Sequence, residues 1–366
     1  MRTNVSTPRV FIAATRQNDG KTTASLGLLN RLREFYPRVG YIKPVGQRYV
    51  EVAEHKIDED TVLMDSVYGL NCPLKDMSPI AIEPDFTRRY LQESRYDELL
   101  EKLEDAFDRV AWEKDFVLCE GSGHAGVGAV FDLSNARVAK ILDSKVIIVT
   151  RGGIGKPIDE VTINHALFEK EGVEVIGVIL NKVTPEKLDY VADFARRGLK
   201  RKGLDLLGVL PLLPMLSKPT VAAIREELNA EVLAGQPQLQ NIVEDIVVGA
   251  MAAQNAARHF KPGVLIITPG DREDIIMAAA TSSHAQSERQ ISGLVLTGDV
   301  KPCGSVMRLL AEVEFPVLMV KDDSYVVASK VHDMTVKTHA EDKEKINLIR
   351  DLIARHVDVK KILKAL

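Results

Sequence analysis

The segment that most constrains this chain reads Val10-Phe-Ile-Ala-Ala-Thr-Arg-Gln-Asn-Asp-Gly-Lys-Thr-Thr23. Five apolar residues, Val10–Ala14, make a short buried strand. A polar loop follows, and Lys21-Thr22 opens an amphipathic helical stretch, Thr22–Phe35. A loop in that setting aims backbone N–H groups at an anion, and the helix N-terminus adds partial positive charge. Gly20 lets the backbone approach phosphates, Lys21 neutralises β- and γ-phosphate charge, and the Thr22 hydroxyl is offered to Mg2+. The residues expected to bind nucleotide are Thr15, Asn18, Asp19, Gly20, Lys21, Thr22 and Thr23, with ATP and Mg2+ as cofactors. Thr15 stands where the usual pattern has glycine. The plainer alternative, a Gly-Lys turn capping an ordinary helix, is weakened by the strand before and the helix after.

Short apolar runs continue at Val39–Ile42, Phe116–Cys119, Val146–Val149, Val175–Leu180 and Leu206–Leu210. Helical stretches lie between several of them, at Tyr96–Arg109, Ile158–Lys170 and Pro185–Lys200. Buried runs alternating with helices predict an α/β protein with a doubly wound, mostly parallel sheet to about Pro211. Glu120 ends the run Asp115-Phe-Val-Leu-Cys-Glu120, where such sheets bind ligands, and is expected to hold Mg2+ directly or through water. A solvent-facing carboxylate is the simpler reading.

The length, 366 residues, suggests two domains. The Pro-interrupted segment Leu212–Pro219, a helical stretch Val221–Leu233 and the Gly235-Gln-Pro-Gln loop mark the boundary. A smaller α/β pattern then begins, with runs at Val264–Thr268, Ile291–Thr297 and Val317–Val320 and helices at Asp271–Ala280 and Val306–Val313. Glu341–His356 reads as a charged amphipathic helix. Ile246–Ala253, apolar nearly all round, reads as a helix that must be buried in its own domain or against a twin. A net charge of −4 disfavours nucleic-acid and acidic-membrane partners. Three scattered cysteines and no apolar run of signal-peptide or membrane-spanning length imply a cytoplasmic protein without a disulfide framework or structural zinc site.

Further motifs carry a specific resemblance. Gly40-Tyr-Ile-Lys-Pro-Val-Gly46, Cys119-Glu-Gly121, Val178-Ile-Leu-Asn-Lys182 and Leu207-Gly-Val-Leu-Pro-Leu-Leu-Pro214, together with the Gly-Lys-Thr loop, resemble dethiobiotin synthetase and its relatives over about Val10 to Leu228. Glu120–Asn135 and Gly152-Gly-Ile-Gly-Lys-Pro-Ile-Asp159 resemble, more narrowly, the front half of long bacterial phosphate acetyltransferases. The second domain resembles the DRTGG domain that follows in those proteins, with Pro269-Gly-Asp-Arg-Glu-Asp274 for its signature and Ile291–Gly298 for its second strand. Glu273 departs from that signature, and Gly298-Asp299 replaces a Gly pair. The expected organisation is a P-loop domain at 1–215, a connector at 216–242, a DRTGG-like domain at 243–356 and a tail at 357–366. No counterpart of the acyltransferase half is found before Leu366, so the resemblance implies no acetyl transfer by this chain.

The resemblance also assigns residues. Lys43 would contact a carbamate and phosphate, which makes Lys21 and Lys43 the catalytic candidates if phosphoryl transfer occurs. Gly46-Gln47-Arg48 replaces the family's Ala-Ser-Gly, so its substrate serine is missing. Asp60 aligns with a second metal-binding aspartate, giving Thr22, Asp60 and Glu120 as the metal set. Asp58 competes, and a helix-N-terminal carboxylate is the plainer reading. Asn181 would read the nucleobase. With Thr184 where a GTPase would place Asp, adenine is expected over guanine, against the alternative of an Asx turn. Gly121, Gly123 and His124 form a possible ligand loop, although glycines there also serve tight turns. Asp271 and Arg272 are a possible ligand pair or simply a helix cap. Cys303 reads as an incidental thiol.

Two functions from different classes follow. One is an ATP-binding regulatory or sensor protein that changes its contacts with a partner, such as a metabolic enzyme, or responds to an acidic small molecule. The other is a stand-alone ATP- and Mg2+-dependent ligase or kinase acting on a small carboxylate or carbamate. A homodimer is expected from the resemblance and from the Ile246–Ala253 patch.

Overall fold

A computed structural model describes residues 4, 6–284, 290–334 and 336–366. Most of the polar N-terminal tip, residues 1–3 and 5, lies outside the described residues. The chain forms two compact units, Met1–Leu213 with Thr338–Leu366, and Pro214–Lys337.

In the first unit the apolar runs become β1 (Arg9–Ala14), β2 (Val39–Ile42), β3 (Phe116–Glu120), β4 (Lys145–Arg151), β5 (Val175–Val183) and β6 (Leu206–Pro211). They form one sheet in the order β6-β5-β4-β1-β3-β2, and each neighbouring pair is parallel. Strands of a parallel sheet are covered on both faces, which is why β1 and β3 are buried throughout. β2 and β3 lie on one side of β1, and β4 to β6 on the other. The connections therefore diverge at the carboxyl end of β1, where a crevice opens. The Thr15–Gly20 loop lies there and leads into α1 (Lys21–Leu32). After β2 the chain makes the antiparallel hairpin Tyr49–Val52/His55–Asp58 and enters α2 (Glu59–Tyr68).

The charged helix Lys343–His356 belongs to this first unit, so the expected extension of the second domain to residue 356 is corrected. Its apolar stripe, Ile346, Ile349 and Ile353, is buried. A Cβ placed on Gly27 of α1 would lie 2.6 Å from Ile353 Cβ, so glycine sets the approach of these two helices. Val357 bridges Gly208 in the antiparallel sense, and Asp358 N–H donates to Leu207 O at 2.9 Å. The tail thus covers part of the exposed edge of β6.

The second unit has a five-stranded sheet made of β7 (Glu231–Ala234), β8 (Asp245–Val248), β9 (Val264–Pro269), β10 (Gly293–Thr297) and β11 (Val317–Met319). Its order is β7-β11-β10-β9-β8; only β7 runs antiparallel to its neighbour. Apolar clusters cover both faces, one around Ile275, Leu294 and Phe315 and the other around Ile224, Leu265 and Val327. Two expectations fail here. Ile246–Ala253 is not a helix: Ile246, Val247 and Val248 pair with β9 as an edge strand, and Val248 is exposed. Consecutive β-branched residues lose rotamer freedom in a helix and fit a pleated surface better. The expected helix Val221–Leu233 ends at Leu228, where Asn229 turns left-handed, and the remainder becomes β7.

The Gly27 contact yields a test. Gly27→Ala gains up to about 1 kcal/mol of helix propensity but overpacks against Ile353, at a cost of about 1–3 kcal/mol. Urea unfolding followed by Trp112 fluorescence should show a net loss in the single variant. The penalty should shrink when Ile353→Ala is also present, and strictly additive losses would refute the contact.

Candidate functional site

The loop after β1 is closed from within. Thr15, buried at the position usually glycine, receives its own role from its hydroxyl. Thr15 Oγ1 donates to Asp19 Oδ2 at 2.7 Å and lies 2.8 Å from Thr150 Oγ1 at the end of β4. An ionised Asp19 only accepts, so the Thr150 hydroxyl is the donor in the second bond. Thr15 N–H also donates to Val149 O at 3.0 Å. Gly20, at φ 101°, occupies the left-handed region and caps α1. A Cβ there would overlap the Asn181 side chain. Asn181 sits near the end of β5, and its Nδ2 donates to Asp19 O at 2.9 Å. Lys182 Nζ donates to Asn18 O, also at 2.9 Å.

Beside the loop, charge converges. Glu120, fully buried at the end of β3, accepts from Thr22 Oγ1 at 3.1 Å, from Tyr41 Oη at 3.2 Å and from Lys43 Nζ at 3.2 Å. Lys43 also pairs with Asp60 and lies 3.6 Å from Asp58. Asp58 caps α2 by accepting from Asp60 N–H at 3.0 Å. The two aspartates that competed in the sequence therefore hold adjacent places around one ammonium. Burial alone would pull Lys43 down, but Asp60, Glu120 and Asp58 outweigh it and raise its pKa well above the usual lysine range. Burial, then the Lys43 charge, pulls Lys21 down to about 8, with Glu120, Asp60 and Asp19 opposing. Burial pushes Asp58 up to about 6 despite Lys43, with Asp60 adding to the rise. Three carboxylates thus surround one lysine, and the surplus negative charge suits a cation.

Gly121, Gly123 and His124 follow Glu120 in a loop pinned by two asparagines. Asn135 Oδ1 accepts from Ser122 N–H at 3.0 Å, and its Nδ2 donates to Ser122 O and His124 O, each at 2.6 Å. Asn164 Oδ1 accepts from Ala125 N–H at 2.8 Å. His124 is exposed, and its Nδ1 accepts from Gly126 N–H at 3.2 Å, which places the neutral ring's proton on Nε2. Asp271 and Arg272 lie in the second unit. Arg272 grips Asp274 at 2.8 Å and donates to Met251 O at 2.8 Å, tying the helix start to the turn after β8.

Sequence reasoning missed Tyr41, Thr150 and Lys182 as members of this site. Tyr41 was recoverable, because two residues along a strand share a face and Lys43 was already suspected. Thr150 gave no local signal, and Lys182 stood inside the Val178–Lys182 motif without a role of its own. Thr15→Val should strand Asp19 and Thr150 without their buried partner, at about 1–3 kcal/mol for each unsatisfied group, whereas Thr15→Ser should retain most of the stability. Urea unfolding of the three proteins checks this; equal midpoints would remove the brace.

Comparison with known proteins places this geometry. The family model described as an AAA domain matches residues 8–220, and the DRTGG domain model matches residues 223–334. The phosphate acetyltransferase of Pseudomonas aeruginosa is 33% identical over 95% of this chain and 50% of its own length. That of Nitratidesulfovibrio vulgaris is 28% identical over 95% and 50%. The chain therefore spans about half the length of the curated relatives it matches. Among solved structures, the septum site-determining protein MinD complexed with Mg-ADP from Pyrococcus horikoshii OT3 is 17% identical, with a TM-score of 0.34 over 57% of this chain and 83% of that one. The P-loop, the six-stranded parallel sheet and the two matched models agree: the chain belongs to the AAA-domain family of dethiobiotin-synthetase-like P-loop proteins, followed by a DRTGG domain as in the N-terminal half of phosphate acetyltransferases.

Proposed function

We propose that this protein binds ATP with Mg2+ at the Thr15–Thr23 loop and acts as a regulatory or sensor module. The observation that carries the nucleotide reading is the meeting of Lys21 and Thr22 with Lys43, Asp60 and Glu120 beside a helix N-terminus. Thr22, Asp60 and Glu120 are hard oxygen donors, the kind Mg2+ takes, and Mg2+ completes its shell with water and phosphate oxygens. Among the described residues, no group of three His, Cys, Asp or Glu is arranged to hold a metal by itself. That suits an ion shared with a nucleotide. Bound there, the metal would neutralise phosphate charge, while Lys21 meets the β- and γ-phosphates and Lys43 offers a second cation. The regulatory reading draws on the relatives, whose front half this chain resembles. Among the described residues, no helix is long and apolar enough to cross a membrane.

Lys43 also supports a second reading, a ligase or kinase that moves the γ-phosphoryl group to a small carboxylate. Gly46-Gln47-Arg48 in place of the family's substrate-binding serine weighs against it. The homodimer now rests on the family resemblance alone, since the patch offered for it is an edge strand.

Titration calorimetry of the wild type and Lys21→Ala, with ATP and Mg2+, tests the first reading. Loss of a charge-assisted contact of about 1.5–3 kcal/mol corresponds to roughly 10–100-fold weaker binding; equal affinities would refute the assignment. GTP should compete poorly against labelled ATP. ADP release should not rise above its basal rate over a panel of small carboxylic acids, and an acid that accelerates it would establish the ligase reading instead.

A further inference from the structure

The end of β5 carries an irregularity that the nucleotide reading does not use. Against β6, Val209 pairs with Leu180 and Pro211 with Val183. Three steps on β5 thus face two on β6, a bulge at Asn181 and Lys182. Lys182 is left-handed, at φ 59°, a conformation a long side chain adopts only when its surroundings impose it. In a regular strand two successive side chains point to opposite faces; a bulge re-aims one of them. Here both reach the phosphate loop, Asn181 at Asp19 O and Lys182 at Asn18 O.

What they hold is as informative as where they sit. In a planar trans peptide the C=O of one residue and the N–H of the next point in opposite directions. Drawing the carbonyls of Asn18 and Asp19 toward β5 therefore turns the N–H groups of Asp19 and Gly20 to the other side. Asn181 is buried, and its Oδ1 accepts from Lys182 N–H at 2.8 Å, which fixes which end of the amide faces the loop. We infer that Asn181 and Lys182 are positioning residues that orient the peptide planes of the phosphate loop, so that the bulge at the end of β5 governs affinity for the polyphosphate chain. The inference rests on the nucleotide reading above, and it gives Asn181 a role beside base recognition. It also bears on Thr15 in place of glycine: the Thr15–Asp19 bond closes the loop from within, and β4 and β5 hold it from outside.

The test uses the full chain and a ligand without a base. Magnesium tripolyphosphate and Mg-ATP are titrated calorimetrically against the wild type, Asn181→Ala, Lys182→Gln and Lys182→Arg, with thermal melts confirming that each variant is folded. Losing one loop-orienting hydrogen bond should weaken both ligands about tenfold and in parallel. Lys182→Arg, still able to donate to Asn18 O, should recover most of the affinity. Lys182 is only partly buried, so Lys182→Gln keeps the test alive if Asn181→Ala fails to fold. Weakened ATP binding with unchanged tripolyphosphate binding would overturn the inference in favour of base reading, and unchanged binding of both would overturn it outright. A wild type that takes up neither ligand would instead reject the nucleotide reading itself.

Discussion

A carboxylate with no access to water is the constraint around which the first unit is arranged. Glu120 ends the strand beside β1 and is fully buried, and an isolated buried charge is far too costly to persist. Its oxygens are met by groups from three other places: Thr22 at the start of α1, Tyr41 within β2 and Lys43 just beyond it. Lys43 in turn draws in Asp60 and Asp58 from the start of α2. One acidic side chain thereby ties the phosphate loop, the second strand and the hairpin that follows it. Burial of this kind is weak evidence for stability, because desolvation offsets much of the pairing. It is better explained by chemistry that needs charge held in place.

The parts of this arrangement that could be read from the sequence are those encoded locally. Strand, loop, Gly-Lys-Thr and helix are consecutive, and each parallel strand announces itself as an apolar run between helices. Lys43 and Glu120 stood out through motif context. The remaining members are joined over long sequence separations. The bond from Asn181 to Asp19 spans 162 positions and that between Thr15 and Thr150 spans 135. No periodicity encodes which strand end a loop will lean on. Thr15 illustrates the limit: in the sequence it is a departure from a glycine pattern, and in three dimensions it is a brace.

In the second unit the three expected apolar runs became β9, β10 and β11, but the edge strand β8 was misread, for a different reason. Ile246-Val-Val248 followed by small residues is a short apolar run, and periodicity alone does not separate a buried helix from a strand at that length. The β-branched run should have decided it. The amphipathic pattern of Lys343–His356 gave the helix correctly but contained nothing about which unit its apolar stripe would cover. Of the departures from the DRTGG pattern, Glu273 opens the helix Glu273–His284 and its side chain accepts from Cys303 N–H at 2.8 Å, while Asp299 sits in the turn after β10 in the left-handed conformation, at φ 54°.

Returning the chain to α1 after residue 337 makes the first unit discontinuous, with consequences for its biosynthesis. When β6 has left the ribosome, the surface of α1 that receives Ile353 is still open. At roughly 5–20 residues per second, the tail follows on the order of ten seconds later, after the intervening unit has been made. During that interval a nascent chain exposes an apolar groove and an uncovered strand edge, the features most prone to mispairing. The intervening unit buries its own apolar clusters within itself, so it can fold while the first unit waits. Prompt folding of that inserted unit would bring the tail within reach of its groove sooner than a disordered linker of the same length, since closing a shorter effective loop costs less entropy.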